Sequence, residues 1–258
     1  MELAKKRRLR GEVTKDDIIP FLLLSIDKLL FQISSNSPTN RTCAATALGN
    51  HREPEVVTAL CNQLEIEEKL YCRIAICESL VKLNPLSIQP LLELLGKIGK
   101  NQETKIPKKG FNKISYPLPR DIAARALCRM GSNILPELFE FMEQIDQPLV
   151  LEQTIDVIGH IVYTEKLDIS SKELIEIADK YRKFEMVLFK ITRCFSGFKD
   201  DSAKQFLHNQ LRSKEIGFQL EAARSLFLSE NDLHVNFPLP IDVETFIKAL
   251  RKKTHRGL

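Results

Sequence analysis

The chain has 258 residues, 43% apolar and 28% charged, with 38 Lys+Arg against 34 Asp+Glu and no Trp. That length suits one or two domains with a real core. The composition excludes collagen-like, mucin-like, disulfide-scaffold and disordered chains. The formal charge of +4 is close to neutral and at first excludes nothing about partners.

Apolar residues recur at i, i+3, i+4 and i+7, and nowhere alternate with period two, which predicts helix throughout. Residues 1–14 are expected as a flexible basic arm. A single domain is expected over 15–253, with helices at 15–34, 38–50, 54–66, 69–83 and 87–99. After a loop at 100–119 come helices at 120–131, 133–145, 149–163, 170–183, 185–197, 201–213, 215–229 and 241–253, then a basic tail at 254–258. Pro54 and Pro136 fall near helix starts, where a missing N–H costs nothing. Ser87, Ser170 and Asp200 are expected N-caps. The most apolar stretch, Ile18 to Ile33, is interrupted by Asp27 and Lys28 and is too short for a bilayer, which needs ~20 apolar residues. No signal-peptide pattern opens the chain.

Helices in pairs call for a repeat test. Arg41-Thr-Cys-Ala-Ala-Thr-Ala-Leu48-Gly49 supplies a template R-x-x-A-x-x-A-L-G. Its Leu position recurs as Leu48, Leu80, Met130, Ile158, Ser196 and Phe227, at intervals of 32, 50, 28, 38 and 31 residues. The first small position reads Ala44, Ile76, Ala126, Thr154, Thr192 and Ala223, and the final one Gly49, Val81, Gly131, Gly159, Gly197 and Leu228. Stacked helices that approach closely need a small residue once per turn, and Gly ends a helix in the left-handed conformation.

These residues resemble HEAT repeats, in particular the short HEAT-like repeat also found in phycobilin lyases. The resemblance covers about residues 38 to 230. It implies an all-α fold, a right-handed α–α superhelix of about six helix pairs plus a terminal helix, with the second helix of each pair lining a concave side. The repeat Arg is kept at Arg41 and Arg73, while the equivalent positions hold Ala123, Leu151, Phe189 and Leu220, so a regular Arg–Asp ladder is not expected. The 50-residue interval marks an insertion. It ends in Tyr116-Pro-Leu-Pro-Arg-Asp121, nearly copied as Phe237-Pro-Leu-Pro-Ile-Asp242. Either the aromatic docks beside a helix start, or the segment is an exposed polyproline-like ligand.

No catalytic or metal motif occurs. The six cysteines, at 43, 61, 72, 77, 128 and 194, sit in amphipathic runs and read as small buried hydrophobes, which fits a reducing, cytoplasmic setting. His51, His160, His208, His234 and His255 form no H-E, H-x-x-H or H-E-x-x-H pattern. The paired His-Glu motifs of HEAT-like deoxyhypusine hydroxylases are therefore missing. His160 reads as a helix-end histidine. Walker, nucleophile-elbow and dinucleotide motifs are absent. No cofactor is expected.

Charge is distributed unevenly. Residues 1–15 carry +4, residues 97–120 carry +6 and residues 248–258 carry +5, leaving −11 on the body. Candidate polyanion contacts are Lys5, Lys6, Arg7, Arg8 and Arg10 in the arm, and Lys105, Lys108, Lys109 and Lys113 in the loop. Arg251, Lys252, Lys253 and Arg256 complete the set at the C-terminal end. Such clusters attract nucleic acid or anionic membrane surfaces, or simply keep a protein soluble. The arm also matches the cytoplasmic flank of a transmembrane helix, which would make this a membrane-tethered domain if such a helix lay upstream. The leading expectation is a non-enzymatic scaffold that binds a protein partner on its concave face. Nucleic-acid or anionic-membrane binding is the alternative, and a lyase-like or DNA-glycosylase-like enzyme the third.

Overall fold

The structure, a computed structural model, describes residues 2–99, 101–230, 233, 235 and 237–254. Every regular element among them is helical, as the 3.6-residue periodicity requires. The chain divides into two compact units, Met1–Lys100 with Asp121–Met130, and Asn101–Arg120 with Gly131–Leu258.

The first unit holds α1 (Glu2–Arg8), α2 (Lys15–Ile18), α3 (Ile26–Gln32), α4 (Pro38–Leu48), α5 (Pro54–Ile66), α6 (Leu70–Lys82), α7 (Ile88–Glu93) and α8 (Ile122–Cys128). Alternate helices pack side by side, α4 on α6 on α8 in one layer and α3 on α5 on α7 in the other. The second unit holds α9 (Leu135–Gln144), α10 (Pro148–Glu165), α11 (Lys172–Lys180), α12 (Glu185–Cys194), α13 (Asp201–Gln210), α14 (Ile216–Glu230) and α15 (Ile241–Thr254). Here α10, α12 and α14 form one layer, α11 and α13 lie against their partners in the other, and α15 packs on α14.

Local chemistry sets the ends of these helices. Pro38, Pro54, Pro136 and Pro148 occupy first-turn positions. Asp121 accepts from the Ala123 and Ala124 amides at 2.8 and 3.1 Å, and Asp200 from Ala203 at 3.2 Å. Thr14 and Asp17 form a capping box at α2. Ser87 holds the N-cap position of α7 without a capping hydrogen bond, and Ser170 stands one residue before the N-cap of α11. The Ser87 hydroxyl donates to the Leu80 carbonyl at 2.5 Å, and α11 starts from Ser171, with Ser170 accepting from the Lys172 amide at 3.1 Å.

Two expected helices are shorter or broken, and the expected arm is partly helical. The 15–34 helix splits into α2, a 3-10 turn at Ile19–Leu23 and α3, because Pro20 has no N–H to donate and crowds the preceding turn. The 87–99 helix stops at Glu93, ahead of Gly96 and Gly99 with φ of 78° and 86°. Residues 1–14, expected as a flexible arm, contain the helix α1.

Gly49 caps α4 and Gly197 closes the 3-10 turn after α12, but the template glycines correct the expectation that each ends its helix in the left-handed conformation. Of the four, only Gly131 takes a positive φ, 75°. Gly49 and Gly197 instead permit close approach, since a Cβ would lie 2.5 Å from Ser79 Oγ and 2.8 Å from the Tyr163 amide nitrogen respectively. The template's apolar residues Ala44, Leu48, Leu80, Ala126, Met130, Ile158, Ala223 and Phe227 are buried. Arg41 is half-buried and forks onto Glu67 at 2.7 and 2.9 Å, and Arg73 donates to the Glu67 carbonyl. Five cysteines are buried and Cys128 is half-buried, none in a disulfide. Burial pushes the Cys61 and Cys77 thiols up to about 12, so they behave as apolar filler. No helix among the described residues is long and apolar enough to cross a membrane.

Candidate functional site

The face of α10, α12 and α14 carries ionisable side chains that are buried, against the usual preference of such groups for water. Asp156 comes from α10, Lys190 and Arg193 from α12, and Glu221 and Arg224 from α14. A sixth charge, Glu103, reaches them from the inserted segment.

Lys190 Nζ lies 2.8 Å from Glu103 and 2.5 Å from Asp156. Arg193 lies 2.7 Å from Glu103, 3.9 Å from Asp156 and 3.8 Å from Glu221. Arg224 lies 2.8 Å from Glu221. Three carboxylates thus face three cations in a closed cluster. Burial alone would raise the Glu103 pKa, but the Arg193 and Lys190 charges outweigh it and hold the group down to about 2. Burial opposes the charge on Arg193, and Glu221, Asp156 and Glu103 together overcome it, so its pKa is raised. At nearby Glu152 burial, to which Asp156 and Glu103 add, is only partly opposed by the Lys190 charge, and the group is pushed up to about 7.

The segment 101–120 is seated on this face along much of its length. Arg224 donates to the Lys113 and Ser115 carbonyls at 3.2 and 2.5 Å and lies 5.1 Å from the Phe111 ring centre. Tyr116 is buried, its ring 5.9 Å from those of His160 and Tyr163, and Tyr163 donates to the Ile114 carbonyl at 2.6 Å. Tyr116 is therefore docked rather than presented as a free polyproline-like ligand. Glycines make room for the segment: a Cβ on Gly159 would overlap the Tyr116 hydroxyl, and one on Gly217 would overlap Ile106. Against α15, Gly110 touches the Phe246 ring and Lys253 donates to the Asn112 carbonyl. A pocket of about 480 Å³ remains between segment and helices, with Arg193, Asp156, Phe189 and Phe111 in its wall. In the near copy, Phe237 lies 4.8 Å below the Arg212 guanidinium.

The predicted polyanion contacts fall into two groups. On the first unit, Lys5, Lys6, Arg7, Arg8 and Arg10 are exposed. Three of them face acids: Lys6 with Glu2 at 2.7 Å, Arg7 with Glu12 at 3.6 Å and Arg8 with Asp17 at 2.8 Å. Arg10 lies 6.0 Å from the Tyr71 ring centre. On the second unit, Lys105, Lys108, Lys109, Lys113, Lys252 and Lys253 are exposed, Arg251 is half-buried, and the loop touches the terminal helix. Arg256 and the tail at 255–258 lie outside the described residues, as do His234 and His255. His160 lies inside α10, where burial lowers its pKa, rather than at a helix end. Among the described residues no group of three or more His, Cys, Asp or Glu is arranged to hold a metal ion.

The buried ion cluster was missed by the repeat template. The positions equivalent to the repeat Arg hold Leu151, Phe189 and Leu220, and one residue further on stand Glu152, Lys190 and Glu221. The available signal was a charge inside an otherwise apolar helical run, as in Val187-Leu-Phe-Lys-Ile-Thr-Arg193.

No family model matches the chain. No curated protein matches it either. Among solved structures it is similar to the crystal structure of an engineered protein from the Northeast Structural Genomics Consortium, at 14% identity and a TM-score of 0.36, over 81% of this chain and 100% of that one.

Proposed function

We propose that the chain is a HEAT-like helical scaffold, a right-handed α–α superhelix that holds an extended protein segment on its α10–α12–α14 face, without catalysing a reaction. One observation carries this reading: the face already holds an extended segment of its own chain, through Glu103 on Lys190 and Arg193 and through Tyr116 beside Gly159. Solenoids offer extended grooves of this kind to protein partners. The partner segment would present a carboxylate and, about thirteen residues on, an aromatic ring, the spacing of Glu103 and Tyr116. The inserted segment then acts as an occupant that such a partner displaces.

The test uses the full chain carrying Glu103→Gln and Tyr116→Ala, which frees the segment. A labelled peptide of residues 101–120 should bind this variant, and the same peptide with Glu103→Lys should not. Absence of binding to a variant whose circular dichroism is native would overturn the reading.

A second reading rests on a separate observation, the contact of the basic loop with α15 through Lys253 and Asn112. The lysines of both segments would bind nucleic acid or an anionic membrane surface, with affinity falling steeply as salt rises. Retardation of DNA or RNA at low salt, or sedimentation with phosphatidylserine vesicles, should be lost on replacing Lys105, Lys108, Lys109, Lys252 and Lys253 by Ala. No binding of either at low salt removes this reading.

A further inference from the structure

The second unit contains another pocket, of about 610 Å³, on the far side of Tyr116 from the ion cluster. Its wall holds Lys166, Lys199, His160, Tyr163 and Ser196, and not one carboxylate. In a body whose net charge is negative, that absence is selective. The carboxylates next to it in sequence are turned elsewhere. Glu165 accepts from the Ser132 amide at 3.0 Å, Asp200 accepts from Ser171 and caps α13, Glu230 pairs with Lys204 at 3.5 Å, and Asp156 pairs with Lys190. Lys166 and Lys199 are exposed and form no ion pair among the described residues.

We propose that this pocket binds a small organic phosphate bearing a planar ring, of mononucleotide size. The two ammonium groups supply charge-assisted hydrogen bonds to a phosphate. The phenol of Tyr163 and the imidazole of His160 offer ring surface, since Tyr163 is half-buried and its hydroxyl is fixed on Ile114. Three polar atoms of these lining residues, Tyr116 Oη, Ser196 Oγ and His160 Nδ1, have no protein hydrogen-bond partner and are closed to solvent, Tyr116 Oη against Gly159. Tyr116 and Ser196 are 5% and 2% exposed, so each loses water without a protein replacement. The volume lies within the range of small-molecule sites and exceeds what an inorganic anion fills.

The end of α10 brings Lys166 to this pocket. Lys166 sits at the C-cap of α10 with φ 54°, ψ 44°, the left-handed region, and it is the one positive-φ residue other than glycine among the described residues. Gly or Asn takes that conformation at lower cost. Left-handed residues commonly close helices, and here the Lys166 amide caps the Val162 carbonyl while the residue stands in the pocket wall.

The test is calorimetric titration of the full chain with adenosine monophosphate, 1-naphthyl phosphate and inorganic phosphate, with adenosine and 1-naphthol as uncharged counterparts. The ring-bearing phosphates should bind at one site, more tightly than inorganic phosphate or their uncharged parents. Lys166→Ala and Lys199→Ala should each weaken binding about tenfold, and the pair together more. Replacing Lys105, Lys108 and Lys109 by Ala should leave it unchanged, which separates this pocket from the basic loop. Equal binding of the uncharged parents, or binding untouched by the double lysine variant, would overturn the proposal, as would no binding of any phosphate at ~10 mM. Both lysines are exposed, so their variants should keep the native circular dichroism.

Discussion

The Glu103 carboxylate accepts a hydrogen bond from the Arg193 guanidinium at 2.7 Å across a separation of 90 residues. This pair joins the inserted segment to the C-terminal turn of α12 and gives the two cations of that helix, already facing Asp156 and Glu221, a further carboxylate. Burying such groups costs several kcal/mol per ion unless each is paired, so the cluster fixes where the segment lies more than it adds to stability.

Removing Glu103 should therefore cost more than a surface charge. Glu103→Ala leaves Lys190 and Arg193 short of one carboxylate and should destabilise the second unit by about 3–5 kcal/mol. It should also open residues 101–120 to trypsin at Lys105, Lys108 and Lys109. Urea unfolding and timed proteolysis check both effects. An unchanged cleavage rate would show that the pair does not hold the segment.

Glu103 and Glu152 should give opposite pH dependences. The folded-state pKa of Glu103 is depressed from 4.5 to about 2, so its stabilisation is present above pH 4.5 and fades as pH falls toward 2. That of Glu152 is raised from 4.5 to about 7, so its favourable state is fully present below 4.5 and is lost as pH rises through 7. Glu152→Gln mimics the protonated form. Its stability relative to the parent should climb between pH 4.5 and 7 and level off above, as read from unfolding curves at each pH.

Tyr116 and Gly159 should behave as a coupled pair. Gly159→Ala introduces a methyl that overlaps the phenol and lies 2.9 Å from Cys194 Cα, which should cost about 1–3 kcal/mol. Tyr116→Phe removes a buried hydroxyl with no protein partner and should be neutral or stabilising. In the double variant part of the Gly159→Ala penalty should be recovered. A thermal-melt double-mutant cycle with no coupling would place the overlap elsewhere.

The helical class was legible because it depends on local rules: apolar spacing, first-turn prolines at 54 and 136, and Asp200 as an N-cap. The close packing of layers was also legible in the small residues of the repeat, and Gly49 and Gly197 both stand at helix ends and permit close approach, without the left-handed φ expected of them. The inserted segment was recognised as an interruption. Its destination was not, because Glu103 finds Lys190 and Arg193 only after α10, α12 and α14 come together. A template built on Arg and Ala positions looks one residue away from Glu152, Lys190 and Glu221 and reports apolar residues there.

The most direct measurement is the anisotropy of a fluorescent 101–120 peptide titrated with two full-length proteins, the parent chain and the Glu103→Gln, Tyr116→Ala variant. If the α10–α12–α14 face holds extended segments and the chain's own insert occupies it, the variant should bind the peptide at least about tenfold more tightly than the parent. Equal affinity for both proteins, or none for either while both retain native helix content, would contradict that claim.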